Sequence, residues 1–398
     1  MAWENSSTLK DRFAYARDCL IKMFPFKRRP GHSYQGFVKA RTKLTRTIHE
    51  FLQDHLACHH ERIAFQRWRI GGWVPLAMDG SLFKTPRTKA NEKEIGCAGR
   101  DKASPQITAV VLYHVLTGLP WDWQMGPGKT SERSLLRRML SRLPRKTLLI
   151  GDAGFTGFEL FKDFLTQDIS FLIRLGSSVT LLTGLDDLEL KYRRQGNIIW
   201  FWPIRRHNQP PLKLRLICFK QKNKSKYSRG LTKVFLVTNI LENEALSYEQ
   251  AGRLYQKRWG VEILFRSFKE SFEHRKLRSR AAHQAYDELY WCMVSLLLLG
   301  MMSVSVQCEK QKATSCLCVA GALRIVRGAM RQSRLWRRCG DIRVLLAVVA
   351  PDSYRRSSSK ESRDWPRKKQ ESPPSPPKIR PATDEEIACV KRSYHVAS

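Results

Sequence analysis

The sequence is short of acid. Its 398 residues hold 36 Asp and Glu against 71 Lys and Arg, a formal net charge of +35. A balance that basic argues against an enzyme of small neutral metabolites and for a polyanionic partner, of which nucleic acid is the commonest. Paired cysteines are also missing. The 10 Cys are scattered, with no CxxC spacing. That argues against a disulfide framework and for a reducing, cytoplasmic setting. The opening MAWENSSTLKDRF is polar and carries no apolar stretch of the signal-peptide kind. Long apolar runs are almost absent. The exception, Leu289 to Val306, contains Ser295, Gly300, Ser303 and Ser305 and has soluble-looking flanks. A buried core helix is expected there, and no membrane partner. No internal repeat is visible.

What is present is a globular composition, 42% apolar and 10% aromatic, long enough for two or three domains. Residues 1–70 have apolar positions at helical spacing (Phe37, Leu44, Ile48, Phe51, Leu52) amid many Arg and Lys. A helical DNA-binding region is expected there. Residues 71–175 read as α/β. Strands are expected at 73–78, 107–116, 121–124, 147–151 and 170–175, with helices at 131–143 and 158–165. The first three strands suit a meander and the last two suit crossovers. Residues 176–240 form β-rich runs separated by turn-formers, a β insertion. Residues 241–310 resume the core with a helix opened by a Ser247/Gln250 capping box and running past Lys269. A helical region at 311–352 and a disordered basic tail at 353–398, with SSSKES, PRKKQ and PPSPP, complete the chain.

Two acids share a context. Asp79 (MDGS) and Asp152 (GDAGF) each follow an apolar strand and precede a small residue. Strand carboxyl ends are where α/β sheets place functional groups. If the two strands are neighbours the carboxylates converge, and such a pair calls for a cation. Hard oxygen ligands suit Mg²⁺. The alternative is an Asp that caps a turn. A third acid lies in the helix from 247, where Tyr255, Arg258, Glu262 and Lys269 fall within roughly 60° of one face at helical spacing. Three acids, a mixed sheet and a basic surface fit phosphodiester chemistry with two metal ions about 4 Å apart. Arg258 and Lys269 would then grip phosphates.

Tyr255, Arg258, Glu262 and Lys269 at this spacing match the YREK signature, complete at all four positions. With LAMDGS, LLIGDAGF and the β insertion, the sequence resembles the IS-four-type DDE transposases of bacterial insertion sequences, from about Ser33 to about Val306. The resemblance implies an α/β fold with an RNase H-like catalytic core interrupted by a β-rich insertion. It implies Asp79, Asp152 and Glu262 as catalytic, metal-holding triad, with two Mg²⁺ ions (or Mn²⁺ in their place). It implies cut-and-paste transposition: end nicking, a hairpin, and strand transfer of the 3′-OH into target DNA. Double-stranded DNA, both terminal inverted repeats and target, is the implied partner, and a homodimer the implied synaptic assembly in the bacterial cytoplasm at the nucleoid. Candidate DNA-binding residues are Tyr255, Arg258, Arg266, Lys269, Arg205 and Arg206, with Arg275 and Lys276 in the basic run HRKLRSR. Relatives hold a flipped base with a Trp of the insertion. Trp200 and Trp202 are the candidates here, ordinary strand packing being the other reading of each.

Weaker signals fill less of the picture. Gly126-Pro-Gly-Lys-Thr130 hints at a phosphate loop, but Trp123 stands where the Walker pattern needs Gly. Glu132 in the SER triplet is either a supporting acid or a helix N-terminal acid. His55, Cys58, His59 and His60 cluster without a CxxC partner, so zinc is not expected. Two rival functions remain: a metal-dependent nuclease that cuts without joining, and a decayed copy that only binds DNA.

Overall fold

In the computed structural model the described residues are 1–44, 46–97, 103–185, 197–222, 231–273, 275–309, 318–331, 342, 344–346 and 375–395. They form two compact units, and strand β1 (Val74–Lys84) runs from one into the other.

The first unit comprises residues 1–69, 79–139 and 259–354. Its N-terminal helices are α1 (Leu9–Met23), α2 (Tyr34–Arg41) and α3 (Arg46–Ile63), with α4 at Lys89–Glu94. Thr8, Ser33 and Thr88 cap α1, α2 and α4 through their hydroxyls. The second half of β1 is followed by β2 (Gln106–His114) and β3 (Leu119–Pro127), with β2 the middle strand. β2 and β3 form an antiparallel hairpin whose register shifts between Leu112 and Tyr113. β3 is longer than the expected 121–124, because its partner is apolar and fully buried along nearly its whole length. The expected helix over 131–143 is shorter: α5 covers Glu132–Arg137, and a 3₁₀ turn follows at Leu140–Arg142, in the other unit. Gly126 to Thr130 is the end of β3 and its turn into α5, not a phosphate loop at a helix N-terminus.

Residues Ala282–Glu309 form one long helix, taken here as α9; the two before it are α7 (Tyr248–Lys257) and α8 (Trp259–Glu270). By length and composition α9 could cross a membrane, but 72% of its most apolar window is buried inside the protein. Gly300 lets it approach β3: a Cβ there would stand 2.2 Å from Leu119 Cδ2. Tyr290 donates to the His49 carbonyl at 2.8 Å, and its ring stacks on His49. Helix α10 (Val319–Arg331) follows.

The second unit comprises residues 70–78, 140–258 and 355–398. Here the first half of β1 pairs in parallel with β4 (Thr147–Gly151), and β4 with β5 (Ser170–Arg174). Helix α6 (Phe158–Thr166) lies in the β4–β5 crossover, burying Phe161 and Phe164 against Phe171. The insertion contributes β6 (Thr180–Thr183), β7 (Asn197–Phe201), β8 (Leu212–Lys222) and β9 (Leu231–Thr238). It extends the sheet, since β9 pairs antiparallel with β5. The order in this unit is β10 (Lys378–Pro381), β6, β7, β8, β9, β5, β4 and β1. A meander of β1, β2 and β3 followed by parallel β4 and β5 makes the core an RNase H-like mixed α/β fold.

One expectation needs correction. The tail from Ser353 is not wholly disordered: Lys378–Pro381 forms β10, parallel to β6, and Asp384–His395 forms α11. Lys378 and Ala382 donate to Val179 and Thr183 carbonyls, and Arg380 pairs with Glu386 through two bonds of 2.8 and 2.7 Å. Unpaired donors and acceptors on the β6 edge supply a template that composition does not reveal. SSSKES and PRKKQ lie outside the described residues.

A buried polar network holds the first unit. His114 Nε2 donates to the Trp68 carbonyl at 3.0 Å, and Nδ1 accepts from Thr117 N at 3.2 Å and lies 2.9 Å from Thr117 Oγ1. His60 shares the same Thr117 hydroxyl at 2.9 Å, so this member of the His/Cys cluster is a core residue. Burial pushes His114 down to about 4, and burial followed by the neighbouring His114 pushes His60 well below the usual range. Both are neutral when folded and protonate only on unfolding below their ordinary pKa near 6.5. Stability is therefore full above pH 6.5 and lost as the pH falls toward 4. Unfolding titrations from pH 7.5 to 4.5 are expected to show a loss on the order of 3 kcal/mol from His114 alone. His114→Gln should flatten that slope.

Candidate active site

Strand β1 is buried from Val74 to Met78 and becomes half-buried at Asp79. Asp79 Oδ1 accepts from Gly80 N at 2.9 Å. Strand alternation puts Ser81 and Phe83 on the same face as Asp79. Helix α8 covers that face through Phe265 and Phe268, whose rings lie 6.2 and 5.3 Å from Phe83. One turn of helix further, Lys269 Nζ lies 5.2 Å over the Phe83 ring and donates to Ser81 Oγ at 2.6 Å.

This packing leaves an open cavity of about 300 Å³ in the first unit, lined by Asp79, Ser81, Glu262, Arg266, Lys269, Glu270 and Arg275 among others. Two predicted acids thus share one cavity with three predicted cations. Burial, then the like charge of Arg275, pushes the Lys269 ammonium down, while the Asp79 carboxylate pulls it up. Ser81 and Glu270 were not anticipated. Period-two counting from Asp79 is the signal that would have found Ser81.

The helix from 247 does not run unbroken to Lys269. Ser247 and Gln250 form the expected capping box, but α7 ends at Lys257 and α8 begins at Trp259. At the joint Arg258 N bonds the Tyr255 carbonyl at 3.1 Å, a tighter turn than the α-helical one. Gly260 is required just beyond, since a Cβ there would stand 2.5 Å from Tyr113 Oη. Arg258 at the joint itself keeps helical backbone angles, φ −50° and ψ −34°. Glu262 and Lys269 belong to the first unit, Tyr255 and Arg258 to the second.

In the second unit, β4 ends at Gly151, where a Cβ would stand 2.5 Å from Met78 Cε. Asp152 follows, half-buried, and its Oδ1 accepts from Gly154 N at 2.9 Å to cap a 3₁₀ turn at Ala153–Phe155. The turn-capping reading of this Asp is thus real for one oxygen. Tyr255 is 7% exposed, and the Arg258 guanidinium lies 5.6 Å over its ring. Burial pushes the Tyr255 phenol up; Arg258 and Arg174 oppose the rise and Asp152 adds to it. Asp152, Arg174, Tyr255 and Arg258 therefore share one electrostatic neighbourhood.

The remaining candidates divide by exposure. Arg266, Arg275, Lys276 and Arg205 are exposed. Within HRKLRSR, Lys276 and Leu277 lie beside the end of β1, with Leu277 N donating to the Lys84 carbonyl at 2.8 Å. Leu277 and Ser279 point inward, while Arg278 donates to the Ser6 and Ser7 carbonyls. Arg206 pairs with Glu159 at 3.1 Å. Trp200 and Trp202 are 3% and 4% exposed. Lys213 lies over Trp200, and Trp202 Nε1 donates to the Arg206 and Gln209 carbonyls at 3.0 and 2.7 Å. Both rings are engaged in packing the insertion.

No three His, Cys, Asp or Glu side chains converge as a metal cage among the described residues. The donor set still suits a hard cation. Asp79 and Glu262 offer only oxygen to the cavity, and Mg²⁺ commonly takes one or two carboxylates and completes its shell with water and substrate phosphate.

A mixed α/β core with acids at the ends of buried strands and cations beside them is suited to phosphodiester chemistry. Residues 74–298 match the Transposase DDE domain family, and the chain belongs to it. It is 20% identical over 290 residues to Transposase InsG for insertion sequence element IS4 of Escherichia coli strain K12. That match covers 70% of this chain and 63% of the relative, so the chain spans less than two thirds of the relative's length. Among solved structures, the cryo-EM structure of the piggyBac transposase synaptic complex with hairpin DNA aligns with a TM-score of 0.39 and 13% identity, over 73% of this chain and 60% of that one.

The packing of Trp202 yields a direct expectation. Trp202→Ala should cost about 3 to 5 kcal/mol in denaturant unfolding. Trp202→Phe, which keeps the ring and loses both carbonyl bonds, should cost about 1 to 2 kcal/mol.

Proposed function

We propose that the protein is a DDE transposase that moves its insertion sequence by metal-dependent cut-and-paste. The observation that carries the reading is the cavity where Asp79 and Glu262 meet Lys269, Arg266 and Arg275, within a chain of the transposase DDE family. Asp79, Asp152 and Glu262 are the acids that would hold Mg²⁺, or Mn²⁺ in its place. Asp152 directly follows the last residue of β4 in the second unit, and its place in the triad is carried by the LLIGDAGF resemblance.

Bound divalent ions would activate the attacking oxygen and stabilise the leaving one. This chain's own groups do the rest. Lys269, held by Ser81, and the exposed Arg266 and Arg275 bind backbone phosphates beside the acids. Arg258 and Tyr255 bind phosphate beside Asp152. Lys276 and Arg205 extend the basic track. The reaction sequence is hydrolysis at the transposon end, a hairpin, its reopening, and attack of the 3′-OH on target DNA. The substrates are terminal inverted repeats and target duplex, and the working form is a dimer pairing two ends at the nucleoid.

The test uses duplexes carrying the inverted repeats that flank the gene, with Mg²⁺. The wild type should cut and join. Asp79→Asn, Asp152→Asn and Glu262→Gln should each lose roughly a thousandfold in rate or more while still binding the ends. A variant that keeps normal activity removes that acid from the triad. Cutting without joining converts the reading to a nuclease. No cleavage by the wild type on its own ends would leave DNA binding alone. Lys269→Met should weaken binding to the ends and lower the salt slope by about one counterion.

A further inference from the structure

Glu132 begins α5, with Ser131 as its N-cap, and the chemistry above gives it no task. Its position is unusual. A Cβ built on Gly80 would stand 2.0 Å from Glu132 Oε1, 2.3 Å from its Cδ and 2.6 Å from its Cγ. The Glu132 side chain therefore fills the space over the Gly80 α-carbon that any other residue would need. Gly80 is absent from the positive-φ glycines, so close approach and not backbone conformation requires glycine here. Its N–H donates to Asp79 Oδ1 at 2.9 Å. One glycine thus separates the two carboxylates.

Strand alternation decides how Glu132 acts. Gly80 points away from the face that carries Asp79 and Ser81. Glu132 comes from behind the strand, opposite the face where Lys269 meets Ser81. That is the place of a support, not of a ligand in the cavity. We infer that Glu132 is the positioning residue for Asp79. It locks the Asp79–Gly80 step of β1 between α5 and α8, and it sets negative charge behind the site where Asp79 holds a divalent ion. The inference rests on the metal-holding role proposed for Asp79. Groups that orient a ligand from behind tune metal affinity by about 10- to 100-fold.

Mn²⁺ titration of the full chain, followed by electron paramagnetic resonance, tests this without any turnover. Glu132→Gln keeps the shape and removes the charge. It should weaken Mn²⁺ binding about tenfold with an unchanged unfolding midpoint. Gly80→Ala should do the same by expelling Glu132. Gly80→Ala combined with Glu132→Ala should bind no more weakly than Glu132→Ala alone, because the new methyl enters vacated space. Asp79→Asn is the reference. If it weakens Mn²⁺ binding while Glu132→Gln does not, the positioning role is overturned and the metal site stands. If Asp79→Asn also binds normally, the metal-holding reading fails and this inference with it. Should Glu132→Gln not fold, the double variant decides: wild-type affinity there overturns the role.

Discussion

Strand β1 must be apolar for five residues and acidic at the sixth. Val74 to Met78 are sealed in the interior, and Asp79 is where the strand reaches water. A carboxylate one residue earlier would be buried at heavy cost, and one later would face the wrong side of the sheet. Much else depends on that placement. Phe83, two pairs further along the same face, seats Phe265 and Phe268 and so fixes α8. Fixing α8 delivers Glu262 and Lys269 to the same cavity as Asp79.

The chain's excess of cations acquires meaning against this background. Lys269 is half-buried beside Asp79, and burial and Arg275 lower its affinity for a proton while Asp79 restores part of it. An ammonium held in that balance is one hydrogen bond from Ser81 and close to a rim of exposed arginine. The cavity sets three cations, Arg266, Lys269 and Arg275, against three carboxylates, Asp79, Glu262 and Glu270. Glycines do complementary work. Gly80, Gly260 and Gly300 each admit a neighbouring side chain where a Cβ would collide, and so let strands and helices close around the acids.

Much of this was legible in the sequence because it is local. Apolar runs ending in Asp announced β1 and β4, the Ser247/Gln250 pair announced the start of α7, and the spacing of Tyr255, Arg258, Glu262 and Lys269 announced the signature. What failed to show was decided by partners distant in the chain. The need for glycine at 260 comes from Tyr113, and no helical wheel contains Tyr113. Trp202 reads like an aromatic for a ligand until Arg206 and Gln209 turn back to accept its indole proton. Glu132 was visible as a letter but not as a neighbour of the Asp79–Gly80 step, since that needs α5 folded back against β1. The tail reads as disordered because a four-residue strand has no signal of its own; it forms on an edge supplied by β6.

That last strand sets an order of events in synthesis. β6 leaves the ribosome nearly two hundred residues before β10 does. At about 5–20 residues per second, its edge waits on the order of ten seconds or more for its partner. During that time the sheet presents open hydrogen-bonding groups to every other nascent chain. Once β10 arrives, the new edge carries Lys378, Arg380 and Pro381, two charges and a residue without an N–H. Strand β10 works as a closing stitch, and this edge of the sheet is sealed only once that strand has been made.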